Sequence, residues 1–396
     1  MIYADNAATT KMSRTAIQAM LPYMDVEYGN PSSLYALGQR AREALESARG
    51  RIAVCLGAES RDITFTSGGS EADNQAIISA AHMGAKKGKK HIISTPFEHH
   101  AVLHTLDKLR REGFEITLLD VRSNGIVDVS ELASAIRDDT CLVTIMYANN
   151  EIGTVQHISE IGALCAERGV IFHTDAVQAA GHLHIDVKEQ HIDMLSISAH
   201  KFCGPKGIGV LYARRGIVLE SLINGGGQEC GKRAGTENIP AIMGMAAALE
   251  EACASIDSSL GRLIPLRDRL IEGLNAIAYS RLNGDAQRRL PGNVNFCFEG
   301  IEGEALLLKL DSMGICASSG SACTSGSLDP SHVLLAIGIP HEAAHGSLRL
   351  TIGDDITEEK IDYIIRSVSE VVAYLRGISP LWSDLEQGKR QHVFDK

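Results

Sequence analysis

Short apolar runs alternate with longer amphipathic ones over the first two-thirds of the chain. Ile63 to Thr66, His91 to Ser94, Ile116 to Leu119, Leu142 to Tyr147, Val170 to Thr174, Met194 to Ser198 and Ile208 to Tyr212 read as strands, being short, rich in branched aliphatics and bounded by polar or glycine-containing segments. Between them, Glu71 to Met83, Ala101 to Glu112, Val129 to Arg137 and Ile158 to Arg168 carry helical spacing. Strands separated by helix-length segments require parallel crossovers, so a mixed, mostly parallel α/β sheet covered on both faces is expected. Ligands of such sheets sit beyond the carboxyl ends of the strands.

After about residue 260 the texture changes. A helical pattern from Leu260 to Ala278 leads into shorter strand candidates at Asn293 to Phe298 and Ser347 to Ile352. A last helix runs from about Thr357 to Arg376, with Ile361, Ile364, Val368, Val371 and Leu375 on one face, Thr357 as N-cap and Glu358 and Glu359 at its positive start. These patterns predict a large domain over residues 15–259 and a smaller α+β domain from 1–14 and 260–376. Residues 377–396 read as a polar, weakly patterned extension, suited to the surface or to docking.

Composition narrows the function. With 396 residues the chain exceeds what one core usually supports, which agrees with two domains. The net charge is -11 and the only basic run is KKGKK at Lys86 to Lys90, so nucleic acid is not an expected partner. No stretch of 18 apolar residues suggests a membrane span, and MIYADNAATT lacks the pattern of a secretory signal. Nine cysteines, scattered singly with no CxxC pair, argue against a disulfide framework or structural zinc and for a reducing cytoplasm.

Several strand ends carry candidate chemistry. Lys201 follows the strand Met194 to Ser198 in SISAHKFCGPKGIG; a lysine held at a buried strand end is a good Schiff-base nucleophile, and a solvated loop lysine is the alternative. Thr66-Ser67-Gly68-Gly69-Ser70-Glu71 opens a helix and reads as a phosphate cradle, without the spacing of a dinucleotide or ATP motif. Asp175 in HTDAVQ could hold a protonated ring nitrogen or cap a helix, and Gln178 could bond a ring substituent. His99 could stack on an aromatic cofactor and move protons near neutral pH, while His100 reads as a helix-start residue. Asn149-Asn150-Glu151-Ile152-Gly153 is turn-rich in composition. Cys323, among the small polar residues of SSGSACTSG, is unlike a packed cysteine and reads as an available thiolate nucleophile or an incidental thiol in a linker. Arg349, within the apolar pattern of SLRLT, needs an anionic partner, either a substrate carboxylate or an internal acid.

Taken in order, YADNAATT, GNPSS, TSGGSEADN, EHHAV, NNEIG, HTDAVQ, SAHKFCGPKGIG, GGGQE, RAGTEN, SSGSACTSG and SLRLTIG resemble, over essentially the whole chain, the pyridoxal-phosphate-dependent cysteine desulfurases of the NifS/IscS type. The resemblance implies fold type I, like aspartate aminotransferase, in a homodimer with sites at the subunit interface. It implies that Lys201 carries the cofactor, Asp175 pairs with its ring nitrogen, His99 stacks on the ring, and Gln178 and Asn150 address the ring oxygen. Gly69, Ser70, Ser198 and His200 would hold the phosphate, with Thr236 arriving from the partner subunit. Arg349 and Asn150 would orient the carboxylate of L-cysteine, and Cys323 would take its sulfur. By the same resemblance, sulfur passes to an iron–sulfur scaffold or other acceptor protein, with Cys323 as a transient cluster ligand. A selenocysteine lyase and a non-enzymatic sulfur-transfer scaffold are the competing implications. Cys230 stands where relatives often carry a larger residue, and the long SSGSACTSG loop does not separate housekeeping from nitrogenase-associated members.

Overall fold

The computed structural model describes residues 1–319 and 330–394. Its strands are β1 (Ile2–Tyr3), β2 (Ile63–Thr66), β3 (His91–Ser94), β4 (Glu115–Leu118), β5 (Thr140–Thr144), β6 (Ile171–Asp175), β7 (Met194–Ser198), β8 (Gly209–Ala213), β9 (Ser280–Leu282), β10 (Asn293–Phe298), β11 (Ile315–Cys316) and β12 (Ser347–Thr351). A seven-stranded sheet has the order β2-β8-β7-β6-β5-β3-β4. Strand β8 is antiparallel to both neighbours and every other pair is parallel, so six strands end on the same edge. Except for β4 these strands are buried almost throughout, which is why their sequences show apolar runs rather than alternation.

Two departures from the sequence pattern have physical causes. The apolar run Leu142 to Tyr147 leaves regular strand after Thr144, although Ile145 and Tyr147 still donate to the carbonyls of His173 and Asp175 as the chain turns toward Asn149. Three helices give no clear sequence signal: Arg14–Asp25, Ala36–Cys55 and Ile239–Ala254. The last packs against the other two and is apolar on nearly every face, so a helical stripe is absent. Its start is nonetheless encoded, since Asn238 accepts the Ala241 amide at 3.2 Å and Pro240 occupies the first turn.

A second apolar cluster gathers Leu263, Leu270, Phe296, Leu306, Leu348, Ile361 and Val368 around the sheet β12-β10-β9. Residues Val333, Leu334, Ile337, Ile339 and Ala343 instead join the core of the large sheet, so the chain returns to it between β11 and β12. The C-terminal segment is tied down rather than loose. It forms a helix, Pro380–Glu386, with the Arg376 guanidinium 4.0 Å from the Trp382 ring. His392 stacks on Tyr279 at 3.7 Å, and Glu299 accepts the Val393 amide at 2.9 Å. Aromatic anchors, not periodicity, order it.

The segment carrying GGGQE and RAGTEN is clipped to the free edge of β2. Buried Glu229 pairs with both Arg49 nitrogens at 2.7 and 2.8 Å and accepts the Phe65 amide at 2.9 Å. Removing one member of a buried pair strands the other, which costs about 3–5 kcal/mol. Glu229→Ala is therefore expected to lower the denaturation midpoint sharply, whereas breaking the exposed Arg269–Asp362 pair with Asp362→Ala is expected to leave it almost unchanged. Equal shifts in urea unfolding would show that the clip is not what holds this segment.

Candidate active site

Five strand ends deliver side chains to one cavity of about 390 Å³. Gly69 and Ser70 follow β2, His99 follows β3, Asn150 follows β5, Asp175 and Gln178 come from β6 and the turn after it, and Ser198, His200 and Lys201 come from β7 and the 3-10 turn behind it. Arg349 reaches the same cavity from β12 of the other sheet. The N-terminal segment closes one wall through Ala7 and Ala8.

The half-buried Lys201 amine donates to the carbonyls of Ala7 and Ala8 at 2.6 and 2.9 Å. Gln178 donates to the same Ala7 carbonyl at 3.1 Å, so the N-terminal strap and two strand ends share one polar contact. Asp175 accepts the Val177 amide at 2.9 Å. Burial pushes its carboxyl above the usual range, and His99, the Val177 amide and Lys201 pull the other way. A cationic ring nitrogen placed against Asp175 would relieve the same desolvation cost. His99 caps the helix His100–Arg111 by accepting the Ala101 amide on Nδ1 at 3.1 Å, which leaves the proton of the neutral ring on Nε2. His100 is the first residue of that helix.

The cradle is built on close approach. A Cβ on Gly69 would lie 2.7 Å from the Val177 side chain, and one on Gly209 would lie 2.7 Å from the backbone of Gly68. Without side chains there, the amide end of the helix Gly69–Ala85 can sit against the end of β7, where an anion is favoured. Ser198 supplies a hydroxyl at the cavity wall. Burial, with Lys201 and Lys206 nearby, pushes the His200 imidazole down to about 4, so it is neutral and bonds Thr9 through Nδ1 at 3.1 Å.

Of the two readings of Arg349, the internal acid is present. Its Nη2 pairs with Asp5 at 2.9 Å and its Nη1 donates to the Asn150 carbonyl at 3.2 Å, while Nε is buried with no partner among the described residues. Asp5 is thus a site residue that the sequence alone did not single out; it lies inside the YADNAATT motif but meets Arg349 across 344 positions.

Three further acids line the cavity without having been foreseen, Asp73, Glu98 and Glu151, each within a motif already noted. Asp73 is buried near His173 and Asp175, and desolvation with the neighbouring Asp175 pushes its carboxyl well up. Burial pushes Glu98 up to about 8; one of its oxygens accepts Thr95 and the Met146 amide at 2.6 and 3.0 Å, and the other has no partner among the described residues. Because this folded value exceeds the ordinary 4.5, the folded state keeps a proton that the unfolded state releases, and stability falls as pH rises from about 4.5 to about 8. Glu98→Gln keeps the acceptor and removes the titration. Its melting temperature relative to wild type is expected to rise between about pH 5 and about pH 8.5, by the equivalent of a few kcal/mol at most. A difference independent of pH would contradict the buried acid.

Two expected residues are not in this group. Thr236 is exposed and does not line this cavity, and Cys323 lies outside the described residues. Among the described residues no cluster of three or more His, Cys, Asp or Glu is arranged to hold a metal ion.

A β-sheet edge with a lysine, an acid, an imidazole and a helix-start anion cradle defines a cofactor-dependent transferase site, and the class-V aminotransferase family profile matches residues 2–364. The chain belongs to that family. Within it, the chain is 52% identical over 393 residues to the cysteine desulfurase IscS of Clostridium botulinum, covering 98% of this chain and 99% of the relative. It is 54% identical over 380 residues to the cysteine desulfurase IscS of Methanosarcina thermophila, covering 96% and 94%. Among solved structures, a NifS-like protein superposes with a TM-score of 0.88 at 35% identity, covering 94% of this chain and all of the other. The fold is that of these pyridoxal-phosphate enzymes, as the motifs imply.

Proposed function

We propose that the chain is a pyridoxal-phosphate-dependent cysteine desulfurase, converting L-cysteine to L-alanine and passing the sulfur to Cys323. The observation that carries this reading is the placement of Lys201 and Asp175 at adjacent strand ends of one cavity, with the helix-start cradle on its floor. A sulfur-transfer scaffold has no use for that arrangement. The site suits the cofactor: Asp175 is a buried acid in want of a cation, and Gly68 and Gly69 leave room for an anion.

When bound, pyridoxal phosphate supplies an electron sink for the pair left at the substrate α-carbon. Gly69, Ser70, Ser198 and His200 would hold its phosphate, Asp175 its ring nitrogen, His99 its face, and Gln178 and Asn150 its ring oxygen. Arg349 would grip the substrate carboxylate, its fork fixed by Asp5 and the Asn150 carbonyl. Lys201 would take the α-proton on Nζ and return a proton to carbon. The Cys323 thiolate would attack the substrate sulfur; the C–S bond breaks with its electron pair on carbon, an S–S bond forms, and protonation of that carbon gives alanine and a Cys323 persulfide.

The assembly belongs to the same proposal. Ile17, Leu21, Met24, Val26, Tyr28, Leu34 and Tyr35 leave an apolar surface exposed within one short segment, with Leu34 92% exposed. A second copy of the chain is the occupant we assign to it, with Thr236 reaching the partner's cradle. We read a large domain of residues 15–259 and a small domain of 1–14 and 260–376, with the stretch around Val333 to Ala344 returning to the large core. No single helix among the described residues is long and apolar enough to cross a membrane, and we place the enzyme in the cytoplasm, delivering sulfur to an iron–sulfur scaffold or another acceptor protein, with Cys323 as a transient cluster ligand.

Purified protein given L-cysteine and a dithiol reductant is expected to release alanine and sulfide in equal amounts. L-Selenocysteine is expected to be turned over less efficiently; a reversed preference would favour a selenocysteine lyase.

A further inference from the structure

Two thiols that the proposed reaction does not use meet in a second cavity, of about 310 Å³, away from Lys201. Cys55 ends the helix Ala36–Cys55, and Cys253 lies in the last turn of the helix Ile239–Ala254. The two residues are 198 positions apart in sequence, yet the packing of these helices brings the Cys55 thiol against the Cys253 sulfur. Both cysteines are unpaired and partly exposed. The cavity is open to solvent-facing polar groups, with His184, Asp186, Glu189 and Gln190 around the sulfurs, and His184 is held by Asp257 at 2.8 Å.

The two sulfurs are not equivalent. The Cys55 hydrogen bond and the nearby His184 pull the Cys253 thiol below its ordinary value against the effect of burial, whereas the Cys253 hydrogen bond and burial push Cys55 up. Carbonyl-rich helix ends disfavour a thiolate, so the S–H donated by Cys55 and the imidazole are what make Cys253 the attacking sulfur.

We propose that Cys55 and Cys253 form a redox-active dithiol that is oxidised to a disulfide by small disulfides, of which L-cystine, the oxidised form of the proposed substrate, is the natural representative. The Cys253 thiolate attacks one sulfur of the small disulfide, forming a mixed disulfide and expelling one thiolate. Cys55, giving up its proton to solvent, then attacks the Cys253 sulfur and expels the second thiolate. The protein loses two electrons and two protons, and the small disulfide gains both as it becomes two thiols. The bond ties the helix Ala36–Cys55 to the end of the helix Ile239–Ala254, where the chain bends by 68° into Ile256–Asn275 on its way to the smaller core.

The test uses the full-length enzyme with its cofactor. Protein is incubated with mixtures of cystine and cysteine, alkylated, digested without reductant and read by mass spectrometry. The expected result is a peptide pair joined through Cys55 and Cys253, with both thiols losing alkylation in parallel and recovering it on reduction. In Cys55→Ser, Cys253 is expected to stop at the mixed disulfide with cysteine. Exposed Cys230 is the internal control. Full alkylation of Cys55 and Cys253 where Cys230 is already modified would overturn the proposal, as would a modified Cys253 that never joins Cys55.

Discussion

Replacing Lys201 by alanine is expected to abolish turnover of L-cysteine, lowering kcat by at least about 10⁴-fold, because in the proposed reaction one residue both anchors the cofactor and carries the proton, and acid–base catalysis alone is worth about 10²–10⁴. The structure gives the loss a clear boundary. Lys201 holds the N-terminal strap through the carbonyls of Ala7 and Ala8, and Gln178 keeps a hold on Ala7 in the variant. The fold and the cradle should therefore survive, and added pyridoxal phosphate should still bind, more weakly and without the visible absorption of the lysine-bound form. Spectra and sulfide assays on the reconstituted variant check this. Retained turnover at even a hundredth of the wild-type rate would mean that another amine does the work.

The second large effect belongs to Cys323. Cys323→Ser is expected to keep cofactor uptake and the spectral response to added L-cysteine while losing sulfide release by about 10³-fold or more, since a hydroxyl is a far poorer nucleophile toward sulfur than a thiolate. The separation of the two readouts matters more than the size of the loss. If binding and sulfide release fell together, Cys323 would be acting on the site's architecture rather than on the sulfur.

Most of the sheet was legible because its strands are buried on both faces: Ile63–Thr66, His91–Ser94 and Met194–Ser198 stand in the structure with the limits their apolar runs predict. The helix Glu358–Ile378 was equally plain, with Thr357 accepting the Lys360 amide as its cap. Helix Ile239–Ala254 was hidden by being apolar all round, and Ala36–Cys55 by its alanine-rich, weakly amphipathic face. In the cavity, residues announced by a strand end or a glycine turn could be picked out, as Lys201, Asp175 and Gly69 were. Asp5, Asp73 and Glu98 could not, because nothing local to an acid says that it is buried or which distant arginine or carboxylate it will face. The convergence of five strand ends supplies what the linear sequence lacks: it turns separate ambiguous residues into one site.

In the proposed reaction the sulfur of L-cysteine leaves carbon for Cys323. A single turnover without reductant is the sharpest test: holoenzyme is mixed with less than one equivalent of L-cysteine, quenched, and analysed for alanine and for the mass of the Cys323 peptide. One alanine per cysteine consumed and one added sulfur atom on Cys323, removed by a thiol reductant as sulfide, are expected. Alanine formed with Cys323 unmodified, or sulfide released with no alanine, would contradict that reaction.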